Sequence, residues 1–139
     1  MTEHDAFLTA ARLRFPTPAG RYVLDHGQWF NPQPRPKGVR KQAEKRCYLN
    51  ATRIILDRRD LLYVEGFTAR RGSDFVVQHA WAADLAGNVI DPTYNNPEAH
   101  IYFGVAFDAT SYCRALLDDA GSVTGLFHNG EVPRSLAIR

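Results

Sequence analysis

Residues 61–91 read as three strands joined by two tight turns, and this stretch restricts the fold more than any other. Residues 61–68 (LLYVEGFT) and 75–84 (FVVQHAWAAD) are rich in β-branched and aromatic side chains. Gly72 marks the turn between them at 70–74. Ala86-Gly87-Asn88 supply a second turn, and residues 89–91 return as a third strand stopped by Pro92. Turns this short join antiparallel neighbours, because a parallel crossover needs a dozen or more residues.

Helical periodicity flanks this unit. In residues 5–14 (DAFLTAARLR), Phe7, Leu8, Ala11 and Leu13 gather on one side, and Pro16 and Pro18 end the segment. Residues 20–31 are expected to form one or two short extended pieces around Gly27, and 32–38 (PQPRPKG) a loop. A second helix is expected to begin between Lys41 and Cys47 and to run to about Asp57, with Ala43, Cys47, Ala51 and Ile54 or Ile55 forming its apolar stripe. The stretch YNNPEA is a loop, and residues 100–107 (HIYFGVAF) are a fourth strand. Asp108, with Thr110 as its rival, caps a helix through Leu117, and the tail from Gly121 is turn-rich. The order is helix, antiparallel strands, helix, which is an α+β pattern. A chain of 139 residues fits one domain spanning 1–139.

Hydrophobic residues make up 45%, enough for a core that needs neither disulfide nor structural metal. The first fifteen residues lack a signal-peptide pattern and no apolar run is long enough to span a membrane, so a soluble, cytoplasmic protein is expected. In that setting Cys47 and Cys113 are free thiols. The charge is uneven. Residues 35–46 carry six basic side chains against Glu44, a net +5 in a chain of net charge +2. Such a segment is either a solvated loop leading into a helix or a surface for an acidic partner, nucleic acid included.

Cys47, His79 and Asp91 occur in the order that can build a thiol nucleophile, its base and the group that orients the base. A cysteine in a helix's first turn lies beside backbone N–H groups that can hold an oxyanion. His79 and Asp91 must share a sheet face, which depends on the hairpin loop. A loop of Leu85-Ala86-Gly87 puts Asp91 across from Trp81 and diagonal to His79; a loop of Asp84-Leu85-Ala86 puts it directly opposite His79; a two-residue loop without a bulge turns it away. Cys113, with no such hairpin downstream, reads as a core residue. Glu65 reads as an outward charge on a half-buried strand. Cys47, His79 and Asp91 could also ligate a zinc ion, a weaker third option, but close CxxC or HxxxH spacing is absent, so neither a metal site nor a cofactor is expected.

Three blocks resemble the transglutaminase-like branch of the papain-like cysteine enzymes: CYLNATRIIL, LLYVEGFT and HAWAADLAGNVIDPT, together covering about residues 45–94. Lys45-Arg46 stand where that group has a glycine-rich or tryptophan-containing lead-in. The resemblance implies a nucleophile helix packed on a small antiparallel sheet. It also implies attack by Cys47 on an amide or ester carbonyl, proton transfer by His79, and an imidazole held by Asp91. Transamidases, proteases, peptide amidases and acetyltransferases share this chemistry, and no calcium-site pattern points to a calcium-regulated transglutaminase. It implies a second oxyanion donor upstream of the cysteine, for which Gln28 is preferred over Gln33 and Gln42, with Trp29 lining the site. Asn50, on the Cys47 face of the helix, and Trp81, on the His79 face of its strand, are the remaining substrate-contact candidates. The expected function is thus a thiol-dependent amide or peptide hydrolase or deamidase acting on a protein or small amide. The alternative is a catalytically degenerate protein that binds an acidic partner through residues 35–46.

Overall fold

The computed structural model of the chain describes residues 1–118, 125–127, 130–133 and 136. It is an α+β domain, with helices α1 (Glu3–Arg14), α2 (Pro18–His26), α3 (Cys47–Asp57) and α4 (Ala109–Asp118) and strands β1 (Gln28–Phe30), β2 (Leu62–Arg70), β3 (Val77–Ala83), β4 (Val89–Ile90) and β5 (His100–Phe107). The strands form one antiparallel sheet in the order β1-β5-β2-β3-β4. The loop between β4 and β5 carries a 3₁₀ turn at Pro97–Ala99. No described helix is long and apolar enough to cross a membrane.

Strand alternation gives the sheet two apolar faces. Tyr63, Phe67, Ala80, Ala82, Phe103 and Phe107 face the helices, where they pack with Phe7, Ala11, Val23, Ala51, Ile55 and Tyr112. Phe30, Val64, Trp81, Ala83, Val89 and Tyr102 form a smaller cluster on the other face. His79 shares this second face, two residues before Trp81. The Trp81 ring lies across Gly104, where an added Cβ would come within 3.0 Å of it. A side chain at Gly104 would therefore lift the indole off the sheet.

Two segments differ from expectation. Residues 18–26 are helical rather than extended. Thr17 caps this helix by accepting the Gly20 N–H on Oγ1 at 3.0 Å, and Pro18 occupies its first turn. Proline costs nothing there, since its missing N–H would have no helical partner. Glu65 does not face solvent. It is 3% exposed, and its carboxylate accepts the Tyr63 hydroxyl (2.6 Å) and the N–H groups of Leu126 and Phe127 (2.8 Å each). At α4, Asp108 is the cap, accepting the Ser111 N–H at 2.7 Å. Most of the tail from Gly121 lies outside the described residues.

Candidate active site

The β3–β4 hairpin decides whether His79 and Asp91 can meet. Ala83 pairs with Val89, and the Asp84 N–H donates to the Asn88 carbonyl at 3.1 Å, which leaves Leu85-Ala86-Gly87 as a three-residue loop. Gly87 has a φ of 87°, a left-handed conformation that favours glycine. Asp84 binds the loop from inside: Oδ1 accepts the N–H groups of Ala86 and Asn88, and Oδ2 accepts the Asn88 side-chain amide. Continuing this register by one residue sets Asp91 across from Trp81 and diagonal to His79.

The side chains meet there. His79 Nε2 donates to Asp91 Oδ2 at 2.8 Å, with His79 3% exposed and Asp91 wholly buried. Oδ2 also accepts the Tyr102 hydroxyl at 2.8 Å, and Oδ1 accepts the Thr93 N–H at 2.8 Å. A carboxylate with this many donors stays ionised. Burial alone would raise its pKa, but the His79 ring and these hydrogen bonds outweigh burial and lower it. With Nε2 bound to Asp91, the other ring nitrogen, Nδ1, is left for a second partner, and Cys47, which lines the same cleft, is near enough to the imidazole to raise its pKa. Burial pushes the imidazole pKa down. The Asp91 charge and hydrogen bond, helped by Cys47, more than reverse this and lift it to about 9.

Cys47 reaches His79 because of where α3 begins. The helix packs chiefly on β3. β4 pairs with only Ala82 and Ala83, so β3 outruns it at His79 and the first turn of α3 meets the strand there. The approach to the helix is held by Asn50, whose Nδ2 donates to Ala43 O (2.8 Å) and Thr93 Oγ1 (3.0 Å), and by the Gln42 N–H, which donates to Pro92 O (2.6 Å). Lys45 takes a φ of 64° in this turn, a conformation that costs a side-chain-bearing residue roughly 1 kcal/mol or more. The turn brings Cys47 to the first position of α3. Its N-cap, Arg46, makes no side-chain cap, so among the described residues no side chain occupies the helix's leading N–H groups.

Cys47 and His79 line a cleft of about 470 Å³ that also receives Lys45, Arg70, Gln78 and His100. Tyr94 stacks on His79 at 4.2 Å with the rings 3° from parallel, and His100 stacks on the far face of Tyr94 at 4.2 Å. Five sequence candidates do not line this cleft. Gln28 is exposed on β1, the far edge strand, with β5 and β2 between it and β3. Trp29 packs with His4, Phe7 and Phe103. Asn50 is buried in the loop bonds just described rather than open to substrate. Trp81 is fully buried beneath the site, stacked on His79 at 5.9 Å, and its Nε1 has no partner among the described residues. Gln33 donates to Val89 O, a structural bond. Sequence reasoning missed Tyr94, Gln78, Arg70 and His100; of these, only Tyr94 and Gln78 are chain neighbours of the motif residues Thr93 and His79. Among the described residues, no group of three or more His, Cys, Asp or Glu side chains could hold a metal ion. Cys113 is only half-buried on α4, not a core residue.

Compared with known proteins, the chain matches no family model, no curated protein and no solved structure.

The buried pair makes stability depend on pH. The His79 pKa is higher folded than unfolded, so its contribution is complete below about 6.5 and is lost as pH rises through about 9. Asp91 is shifted the opposite way, so its contribution is present above the ordinary carboxylate range and lost as pH falls through its lowered folded value. Thermal melts between pH 6.5 and 9.5 are expected to show a falling midpoint, and His79→Gln is expected to flatten this limb. An unchanged slope in the variant would place the titration elsewhere.

Proposed function

We propose that the chain is a thiol-dependent acyl-transfer enzyme, an amide or peptide hydrolase or deamidase, with Cys47 as nucleophile, His79 as base and Asp91 as the group that orients it. One observation supports this above the rest: His79 gives one ring nitrogen to a buried carboxylate while its ring meets a cysteine at an uncapped helix start, and both residues open into the same cleft. A strand histidine bound only to an aspartate would be structural. A thiol in the same cleft as the ring gives that hydrogen bond a chemical use.

In this proposal His79 takes the thiol proton and the sulfur attacks the carbonyl carbon. The oxyanion forms beside the first N–H groups of α3. Gln78, which lines the cleft, replaces Gln28 as the side-chain donor. His79 then protonates the leaving amine or alcohol, giving a thioester, and water attacks the thioester with His79 again as base. Asp91 keeps the proton on Nε2, so Nδ1 is the nitrogen that exchanges a proton with the thiol and the leaving group. The resemblance to the transglutaminase-like branch agrees with the α+β layout and with the nucleophile helix against an antiparallel sheet. The alternative is a binding protein using residues 35–46, a segment in which two of the six basic side chains have partners within the fold. Arg35 donates to Val39 O and Tyr94 O, and Lys41 pairs with Glu44 at 3.7 Å.

The two cysteines allow an internal comparison, since both are half-buried. Iodoacetamide near neutral pH is expected to alkylate Cys47 at least about tenfold faster than Cys113, with the advantage lost in His79→Ala. Equal, slow labelling of both thiols would refute the proposal.

A further inference from the structure

We infer that the cleft selects acyl donors carrying a carboxylate close to the reacting carbonyl, with Arg70 as the residue that recognises it; this rests on Cys47 being the nucleophile. Lys45, Arg70 and His100 line the cleft, and the one acidic side chain beside them is Glu44. Glu44 is no counter-ion for the other two walls. Its side chain is 67% exposed and faces Lys41 at 3.7 Å. Asp91, the nearest buried carboxylate, is consumed by His79, Tyr102 and Thr93.

Arg70 is the last residue of β2 and pairs across the sheet with His100, the first residue of β5. Its neighbour Arg71 is tied to Glu3 at 3.2 Å. The Arg70 guanidinium makes no hydrogen bond or ion pair among the described residues, and it opens on the cleft that holds the thiol. A guanidinium presents a planar fork of donors that matches a carboxylate in two parallel hydrogen bonds. Lys45, two residues before the nucleophile, adds positive charge on the adjoining wall. The fixed charges on the walls other than Glu44, those of Lys45 and Arg70, are positive, and a concave site with such an excess focuses its field on the ligand. The matching substrate is an amide or ester whose acyl chain ends in a carboxylate, such as a short dicarboxylic acyl group or an acidic side chain beside the scissile bond.

Two alkylating agents of nearly equal size test this. In both, the Cys47 sulfur attacks the methylene carbon, a C–S bond forms, the C–I bond breaks, and iodide leaves with the electron pair. Iodoacetate carries the carboxylate and iodoacetamide does not. The rate ratio of iodoacetate to iodoacetamide, read by peptide mass spectrometry on the full chain, is expected to be about tenfold higher at Cys47 than at Cys113. Arg70→Gln is expected to cut the iodoacetate rate about fivefold while leaving the iodoacetamide rate within about twofold, and Arg70→Lys to retain part of the preference. A ratio equal at both cysteines overturns the inference, as does a preference untouched by Arg70→Gln, which would belong to Lys45 or the His79 imidazolium instead. The iodoacetamide rate by itself reports on the nucleophile. A fast neutral reaction with no anion preference therefore sinks only this inference, and a sluggish neutral reaction at Cys47 sinks the thiol chemistry beneath it.

Discussion

Asp91→Ala is expected to lower the free energy of unfolding by about 3–5 kcal/mol and to reduce turnover of an activated ester by roughly 10³–10⁴-fold. The two losses share one cause. The carboxylate accepts from His79 Nε2, from the Tyr102 hydroxyl and from the Thr93 N–H, all of them buried. Removing it leaves three buried donors without their acceptor. It also removes the charge that holds the His79 pKa up to about 9 against burial. With the Asp91 charge and hydrogen bond gone and burial opposed only by Cys47, the imidazole pKa should fall from about 9, which NMR titration of the ring can read. Asp91→Asn separates the parts. It preserves volume and should recover some stability, but an amide can present its N–H₂ to the ring and reverse the tautomer, so turnover should stay low. Wild-type turnover in a stable Asp91→Asn protein would show that the pair is structural only.

Glu65→Ala is expected to cost about 3–5 kcal/mol, a fall in thermal midpoint of roughly 10–15 °C for a domain of this size, with no direct effect on the thiol. The Glu65 carboxylate is the acceptor for Tyr63 Oη and for the amides of Leu126 and Phe127, which it holds against β2 from sixty-odd residues away in the chain. Leu126 and Phe127 are themselves part of the helix-side core. Losing Glu65 orphans two backbone donors and frees the apolar segment they belong to. Hydrogen exchange should show both amides losing protection before the amides of β2 and β5 do. A fall of less than about 1 kcal/mol would show that this segment is held by packing rather than by the carboxylate.

The legible parts of the fold were those whose causes are local. The Leu85-Ala86-Gly87 loop follows from a glycine at a left-handed position and an aspartate that binds the turn's own amides. Once that loop has three residues, Asp91 must fall on the His79 face, because strand side chains alternate. The start of α3 at Cys47 was within the expected interval, although Lys45 pays for the turn with a strained φ that no sequence pattern announces. The Thr17-Pro18 start of α2 is open to the same local logic, but a proline two residues after Pro16 reads equally as the end of α1, and the structure makes it the beginning of the next helix. Other features were hidden because their partners are distant. Glu65 becomes a buried anchor only through Leu126 and Phe127. Gln28 fails as a site residue because β1 pairs with β5 at the far edge of the sheet, a choice made by contacts more than seventy residues apart. Arg70 and His100 enter the cleft for a similar reason: β2 and β5 pair so that their ends meet beside the helix start.

The central claim is that Cys47 forms a covalent acyl intermediate. Its most direct measurement is mass spectrometry of the intact protein and its peptides after brief exposure to p-nitrophenyl acetate. The expected result is an acetyl group on the peptide containing Cys47, accompanying a burst of nitrophenol and decaying as turnover proceeds, with neither burst nor adduct in Cys47→Ala. Nitrophenol release that is unchanged in Cys47→Ala, or an adduct equally present on Cys113, would contradict it.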